Sequence, residues 1–350
     1  MSSQNENCCS SDENCCGSSC CDSGEMKKPP VISTSLSFKD ILGAWKVRWG
    51  IGRMDYTVEP GLYAVGQPDG DSPVLVSANY KLTYDTLRKN LGALSCWLLI
   101  LDTKGINVWC AAGEGTFSTD ELVRRIEAVG LSEIVTHRKL ILPQLGASGV
   151  SAHEVKQRSG FSVIYGPVRA GDIREFISCG NKATKEMRTV KFTFYDRLVL
   201  APMEIVETAK ISLSVFGVMF LINLFAVHPF GSGDFFVYTA ALLTGSFAAP
   251  VLLPFIPGKA FAFKGWLTGL ICTAWLTWIF GWFNPPFLLW GIGYMLLLPA
   301  YSGFLAMNFT GASTYTSPSG VIKEMKIALP FIAVSFLAGL VLIILKTFLK

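Results

Sequence analysis

Charged residues are scarce in the second half of the sequence. Of the 30 basic and 26 acidic residues, only eight follow Lys210: six lysines and two acids. The formal net charge of +4 therefore lies in that part, and the first 210 residues are neutral. A neutral polar part argues against nucleic acid as a partner. The N-terminus lacks an apolar segment, so we expect no secretory signal peptide.

Histidines and paired cysteine motifs are also scarce. A catalytic Cys–His pair needs a base, yet the chain has histidines only at positions 137, 153 and 228. We expect the first two on surface helices or loops and the third at a membrane, which disfavours this chemistry. Neither Cys96 nor Cys179 has a C-x-x-C partner. A zinc site or a redox pair around Cys110 is disfavoured for that reason.

Residues 1–30 are rich in Ser, Asn, Asp, Glu and Cys and have too little apolar surface to fold alone. We predict a disordered tail. Its cysteines match neither ferredoxin nor zinc-knuckle spacing. Thiols on a flexible chain suit soft ions such as Hg(II), Cu(I) or Zn(II), and a nonspecific thiol-rich tail is an equal alternative. The six tail cysteines form three adjacent pairs: Cys8 and Cys9, Cys15 and Cys16, Cys20 and Cys21.

Residues 31–200 have the pattern of a cytoplasmic α/β domain. An amphipathic segment covers 38–49, and strands and helices alternate from residue 74 onward. Ser118 with Glu121 predicts a capping box, and Ser151 with Glu154 predicts another helix start. This alternation predicts a parallel, Rossmann-like sheet. The predicted strands are 74–76, 97–101, 140–142, 161–165 and 190–195, and further predicted helices are 83–91, 120–129 and 172–177.

Residues 201–350 contain five apolar stretches that predict an all-α transmembrane domain. They cover 211–227, 235–255, 266–283, 287–308 and 327–349. None contains an acidic residue or an arginine, and their one lysine, Lys346, lies three residues before the end of the last stretch, where it can reach the membrane surface. We therefore expect an anchor in contact with membrane lipid rather than an ion pathway. Lysines and arginines cluster on one side, which predicts a multi-pass protein of the cytoplasmic (inner) membrane, with the α/β domain in the cytoplasm and the C-terminus outside.

One short segment, residues 107–117, places a single thiol between a bulky aromatic side chain and very small residues. Trp109 precedes Cys110, and Ala111, Ala112 and Gly113 follow it. Small residues allow a large, flat group to approach the backbone closely. Two more small-residue loops, 146–149 and 166–167, follow predicted strands. Because ligands of α/β sheets bind at the carboxyl ends of strands, the three loops predict one rim around a flat cofactor.

The segment from Asn107 to Gly113 resembles the signature of HgcA-type corrinoid proteins of mercury methylation and of the large subunit of corrinoid iron–sulfur proteins. The resemblance departs from the family pattern at Glu114, where the family has Lys. Segments 78–82, 149–155, 165–170 and 315–321 extend it over most of the chain after Lys28.

The resemblance implies a corrinoid (cobalamin) cofactor with cobalt. The ring would supply four nitrogen ligands, and Cys110 would be the catalytic residue and the axial cobalt ligand, since the Asp-x-His-x-x-Gly motif of many cobalamin proteins is absent. A thiolate pushes electron density onto a metal. This donation of electron density would favour departure of a methyl group as a carbanion, the form that Hg(II) accepts. The implied cofactor-binding residues are Asn107, Val108, Trp109, Cys110, Ala111, Ala112, Gly113, Gly115, Thr116, Gly146, Ala147, Gly149, Val150, Tyr165, Gly166 and Pro167.

The function that the resemblance implies is a corrinoid-dependent methyltransferase that makes methylmercury from Hg(II). Its partners would be a methyl-tetrahydrofolate-linked methyl donor and a ferredoxin-like iron–sulfur electron donor, because no cluster-binding cysteine set is evident. One alternative is a methyl carrier of one-carbon metabolism, as in the acetyl-CoA pathway, with another acceptor. A second is a non-catalytic, thiol-based metal-binding membrane protein.

Overall fold

The computed structural model describes residues 28–225, 230–312, 315 and 318–348. The predicted soft-metal cysteines of the tail therefore lie outside the described residues, together with His228 and with positions 316 and 317 of the last resembling segment. Within the described ranges an α/β part precedes a helical part.

A six-stranded mixed sheet in the order β1-β2-β4-β3-β5-β6 forms the α/β part. Strands β4, β3, β5 and β6 are mutually parallel, β2 runs antiparallel to β4, and β1 runs parallel to β2. The predicted parallel arrangement is thus confirmed for β4, β3, β5 and β6 but not for β1 and β2, and the whole sheet is mixed. The strands are β1 (Val31–Ile32), β2 (Gly61–Val65), β3 (Val74–Ala78), β4 (Cys96–Leu101), β5 (Lys139–Leu142) and β6 (Ser162–Tyr165).

Helices cover both faces of this sheet. As a consequence, β3 and β4 are buried along their whole length. Alternate residues of a strand point to opposite faces, so Val74 and Val76 enter one core while Leu75 enters the other. The helices of this part are α1 (Phe38–Arg48), α2 (Lys81–Asn90), α3 (Val108–Glu114), α4 (Thr119–Ala128), α5 (Leu131–Ile134), α6 (Ala152–Ser159) and α7 (Ile173–Ser178).

The predicted strand at 190–195 is wrong, because helix α8 (Phe194–Phe225) begins there. The side chains of Thr193 and Asp196 accept hydrogen bonds from each other's backbone N–H groups, at 3.3 and 2.8 Å. This reciprocal cap satisfies donors that a helix start leaves free and outweighs the β-propensity of the segment. Strands β1 and β2, in contrast, were not predicted.

The helical part continues after α8. Four helices of the described chain are long and apolar enough to cross a membrane: Phe194–Phe225, Ser232–Val251, Leu288–Asn308 and Ser319–Lys346. The five predicted spans are therefore not confirmed, and the orientation in the membrane stays a prediction. The helices are α9 (Ser232–Leu243), which continues through a π-helical turn (Thr244–Ala248) into α10 (Ala249–Val251), then α11 (Phe261–Ile279), α12 (Leu288–Asn308) and α13 (Pro318–Phe348).

Helix α11 corresponds to the predicted stretch 266–283 but is not one of the four apolar helices. It nevertheless packs tightly on α12 through small residues. A Cβ at Gly265 would lie 2.4 Å from the Ala306 Cβ, and one at Gly269 would lie 2.6 Å from the Ser302 Cβ. Close backbone approach through small residues is typical of helix pairs in membranes.

An acidic residue lies inside the second apolar helix, which begins three residues before the predicted stretch. Asp234 is buried and accepts hydrogen bonds from Trp290 Nε1 at 2.8 Å and from the Tyr294 hydroxyl at 2.7 Å. Because its carboxylate has donors from the partner helix, Asp234 joins α9 to α12.

Helix α8 connects the two parts of the molecule. Arg197 near its start is buried and donates hydrogen bonds to the carbonyl oxygens of Val251, at 2.9 Å, and Phe192, at 2.7 Å. On the other side, Met203 and Val206 of α8 lie against Gly50, directly after α1. The α/β part is thereby held against the base of the helical part.

Candidate functional site

The topology creates a crevice between β3 and β5. The chain moves from β3 to β4 on one side and then crosses to β5 and β6 on the other, so the strand order reverses there. Ligands of open α/β sheets bind at such a switch point, beyond the carboxyl ends of the strands. A cavity of about 460 Å³ lies at this edge, bordered by Ser77 of β3, Leu142 of β5, Pro167 after β6 and the residues Asn107 to Trp109.

The segment predicted as a small-residue loop is a short helix, α3. Asn107 precedes it as the N-cap, with its Oδ1 accepting the Cys110 backbone N–H at 3.1 Å. The same amide presents Nδ2 to the Cys110 Sγ at 3.5 Å. Gly115 ends the helix in the left-handed region, at φ +82°. The sequence therefore indicated the residues correctly, but the N-cap at Asn107 converts the loop into a helix.

Helix α3 has one buried and one open face. Val108, Ala111 and Ala112 are buried in the core beneath it. Trp109, 42% exposed, and Cys110 face outward. The Trp109 indole, which borders the cavity, and the Cys110 thiol are thus both exposed at the surface of α3.

Beyond Cys110, only Glu114 of α3 has an exposed side chain, because Ala111 and Ala112 are buried and Gly113 has none. A Cβ added to Gly113 or to Gly115 would meet nothing within 4 Å. Thr116 turns back, with its N–H donating to the Ala111 carbonyl at 2.9 Å. Glu114 is exposed at the last helical position. The surface next to the thiol therefore has room for a flat group.

Asn79, at the end of β3, holds the loop that leads into α3. Its buried Oδ1 accepts hydrogen bonds from the Thr103 N–H at 3.1 Å, the Thr103 hydroxyl at 2.9 Å and the Gly105 N–H at 3.0 Å. Asn79 belongs to the resembling segment 78–82, to which no role was attached from the sequence. Its function in the fold is to position the approach to Asn107.

Glu121 of α4 holds the same loop from the other side. Ser118 caps α4 by accepting the Glu121 N–H, as predicted, but the Glu121 carboxylate does not complete the predicted capping box. It accepts the Asp102 N–H at 2.8 Å and pairs with Arg124 and Arg125. Burial would raise the pKa of Glu121, but these hydrogen bonds outweigh it and lower the pKa below its usual value.

The loop predicted as the second part of the rim packs behind α3. Gly146 lies against the Phe117 ring, and Gly149 lies against the Phe117 carbonyl oxygen and the Ala112 Cα. Val150 is buried and Ala147 is half-buried. These contacts support α3 from below, and a contact of this loop with a cofactor stays a prediction.

The third predicted loop adjoins the second. The Tyr165 hydroxyl donates to the Val150 carbonyl at 2.6 Å, and the Gly166 N–H donates to the Leu142 carbonyl at 2.8 Å. Burial raises the pKa of Tyr165, which keeps the phenol protonated as a donor. Pro167 borders the cavity. The structure thus brings the three predicted segments close together, but only the first and third border the cavity, and the predicted rim around a cofactor stays a prediction.

Gly149→Ala is expected to destabilise the packing of loop 146–149 against α3. The added Cβ would lie 2.1 Å from the Phe117 carbonyl oxygen and 2.9 Å from the Ala112 Cα, and both are backbone atoms that cannot turn away. Overpacking of this kind costs about 3 kcal/mol. Chemical unfolding of the full chain measures the change, with Gly61→Ala as the control because its Cβ has no neighbour within 4 Å. Equal stability of the two variants would show that Gly149 does not pack closely beneath α3.

Sequence reasoning missed the other walls of the cavity. Arg48 of α1, Arg53 after it, Thr83 of α2 and Met203 of α8 all border the space. The Arg48 Nε is buried without a hydrogen-bond acceptor among the described residues. No local pattern indicated these residues, because the docking of α1 and α8 on the sheet edge brings them there.

The single thiol at the site suits a metal ion whose other ligands belong to a macrocycle. Within the described part of the chain, no group of three or more His, Cys, Asp or Glu side chains could hold a metal ion. The exposed Cys110 thiol can offer one sulfur ligand to a metal whose other ligands come from elsewhere. The open surface over Gly113 and Gly115 leaves space for the ring that would carry them.

Comparisons with known proteins find similarity in the α/β part of the chain. Residues 41–177 match the family model of the CO dehydrogenase/acetyl-CoA synthase delta subunit. The acetyl-CoA decarbonylase/synthase complex subunit gamma of Methanopyrus kandleri is 35% identical over 122 residues, which are 34% of this chain and 26% of that protein. Subunit gamma 2 of Methanosarcina thermophila is 37% identical over 123 residues, 34% of this chain and 26% of that protein. The wider resemblance, to the large subunit of corrinoid iron–sulfur proteins, is confirmed.

The similarity is confined to part of each protein. The aligned part covers about a quarter of the length of the curated relatives, 26% of the two named above. The family match ends at residue 177, before α8 begins at Phe194. It includes the whole of α3 with Cys110.

Proposed function

We propose that this chain is a membrane-anchored corrinoid protein that carries methyl groups and transfers them from cobalt to an acceptor. The observation that carries the proposal is the exposed Cys110 thiol, held by Asn107 beside the open surface of α3. When bound, the corrinoid would supply a cobalt ion on which a methyl group can be carried.

The residues of α3 would divide the work of binding. Cys110 would offer a single sulfur ligand, and the Asn107 amide would orient that sulfur by donating to it. The buried Ala111 and Ala112 keep the helix fixed on the core. The exposed Trp109 indole would offer the ring an apolar contact, while Gly113 and Gly115 would let the ring approach the backbone.

Two acceptors are consistent with this site. The similarity to subunits named for acetyl-CoA decarbonylase/synthase complexes favours a methyl carrier of one-carbon metabolism. A strongly donating thiolate favours an acceptor that takes the methyl group with its bonding electrons, and Hg(II) as a substrate is such an acceptor. A ferredoxin-like electron donor and a methyl-tetrahydrofolate-linked donor belong to both versions of the proposal.

Reconstitution of the full chain tests the proposal. The protein, purified in detergent without oxygen, is incubated with methylcobalamin, desalted and examined by absorbance and cobalt analysis. Hg(II) is then added, and methylmercury is measured by mass spectrometry against the same amount of free methylcobalamin. We expect about one cobalt per chain and methylmercury formation faster than the free cofactor gives.

The outcomes separate the alternatives. Retained corrinoid with no gain in methylmercury formation would exclude Hg(II) as the acceptor and leave the one-carbon carrier. Loss of all corrinoid on desalting would contradict the proposal and favour a non-catalytic thiol protein that binds metal ions.

A further inference from the structure

Helix α1 exposes a row of large apolar side chains to solvent. Phe38 is 77% exposed, Ile41 54%, Leu42 42% and Trp45 62%. Their spacing of i, i+3, i+4 and i+7 places them on one side of the helix. The Trp45 ring contacts that of Trp49 at a centroid distance of 5.9 Å, which extends the row by another turn. We call these five residues the α1 stripe.

The α1 stripe points away from the rest of the protein. At about 100° per residue, Asp40, Gly43 and Val47 lie on the opposite side of the helix. Val47 is the buried residue of α1, and a Cβ at Gly43 would collide with the Tyr56 ring. Among the residues that the structure describes, none therefore covers the stripe.

The docked side of α1 is held firmly by charge. Asp40 accepts from Lys81 Nζ at 2.6 Å and from an Arg88 guanidinium nitrogen at 2.8 Å. Burial would raise the pKa of Asp40, but the hydrogen bonds from Lys81, Ser37 and Arg88 hold it well below its usual range. The helix cannot turn its stripe inward without breaking these pairs.

The C-terminal end of α1 lies at the depth of lipid headgroups if α8 crosses a membrane. Gly50 contacts Val206, and the apolar run of α8 starts at Ile211, directly after Lys210. Five residues of helix span about 8 Å. The headgroup layer of one leaflet is itself about 5–8 Å thick. With α8 across the membrane, the end of α1 would therefore lie next to the bilayer surface.

The charges beside the α1 stripe suit an anionic surface. Lys39 and Lys46 lie along one edge of it and are exposed. Neither makes an ion pair with any residue that the structure describes. An apolar row with tryptophans and flanking lysines is the composition of helices that lie in a membrane interface.

We infer that α1 is an interfacial helix, which inserts the α1 stripe into the lipid headgroup region of the leaflet that α8 enters. Residues 1–27 are a poor alternative cover, because apart from cysteines their apolar side chains are two methionines. Docking of α1 would hold the α/β part at a defined height and tilt. The cavity beside Trp109, which α8 also borders, would then stay close to the membrane surface.

Photo-crosslinking in nanodiscs tests this inference on the full chain. Benzoylphenylalanine replaces Trp45 in the test protein. In a negative control it replaces Phe194, which is 52% exposed on α8 but about 25 Å before Ile211. In a positive control it replaces Phe220, 60% exposed within the apolar run. The nanodiscs contain phosphatidylglycerol and phosphatidylcholine, and adducts are identified by mass spectrometry after irradiation.

We expect phospholipid adducts at positions 45 and 220 and none at 194. Ile41→Ser combined with Leu42→Ser should reduce the lipid adduct at position 45 several-fold and leave that at 220 unchanged. Adducts at 220 without any at 45 would overturn the inference, because the chain would be in the membrane with α1 away from it. Protein adducts at 45, either with a second copy or with another chain, would overturn it as well.

Discussion

Cys110→Ala is expected to retain corrinoid and to lose methyl transfer by at least about a hundredfold, about 2.7 kcal/mol in the barrier. The contacts that would hold the ring belong to the α3 surface and the neighbouring loops, whereas the ligand proposed for cobalt is one sulfur atom, the Cys110 Sγ. Removing Sγ leaves the Asn107 cap intact, since that cap uses the Cys110 backbone N–H. Binding and chemistry should therefore separate in this variant.

The measurement pairs an absorbance spectrum with the methylmercury assay at matched cobalt content. Cys179→Ala is the control, because Cys179 is the other exposed cysteine of the described chain and lies at the end of α7. It should behave as the unaltered protein. Cys110→His should bind corrinoid and transfer poorly, since imidazole donates less charge than a thiolate. Methyl transfer at the rate of the unaltered protein by Cys110→Ala with bound corrinoid would contradict the thiolate mechanism.

Gly113→Ala is expected to make the protein more stable and its corrinoid binding weaker. The residue is helical, and its Cβ would meet no protein atom within 4 Å, so alanine should add about 1 kcal/mol of helix stability. A ring lying on α3 would meet the new methyl group. We expect at least a tenfold rise in the corrinoid Kd, about 1.4 kcal/mol.

Equilibrium titration of the apo protein with cobalamin measures this Kd, and chemical unfolding without cofactor measures the stability. Gly217→Ala in α8 is a matched control, because Gly217 is also helical with open space at its Cβ. It should leave corrinoid affinity unchanged. Unaltered affinity in Gly113→Ala would show that the ring does not cover α3 at that position.

Periodicity and local caps predicted much of the α/β part. The amphipathic segment at 38–49 is α1, Ser118 and Ser151 begin α4 and α6, and the apolar runs at 74–76 and 97–101 are strands β3 and β4. These features depend on residues close in sequence, where capping and side-chain alternation act. The small-residue segment with Cys110 was identified for the same reason.

Other features depend on contacts between distant residues. Strand β2 pairs antiparallel with β4, and each residue of β2 has its partner more than thirty residues later in the chain. The pairs run from Val65 with Cys96 to Gly61 with Ile100. The Glu121 carboxylate leaves its expected local partner for the Asp102 N–H and two arginines. Local propensity could not predict these partners, because only the tertiary fold brings residues that are distant in sequence within reach of each other.

The sequence by itself determined which residues could form the site: one thiol, its small neighbours and the loops after three strands. Only the tertiary structure decided their arrangement. It made residues 108–114 a helix with the Cys110 thiol outward, and it placed Gly149 beneath that helix rather than on its open side. It also brought α1 and α8 to the cavity. The physical reason is that caps and hydrophobic periodicity act over a few residues, whereas the walls of a cavity are set by packing among segments far apart in the chain.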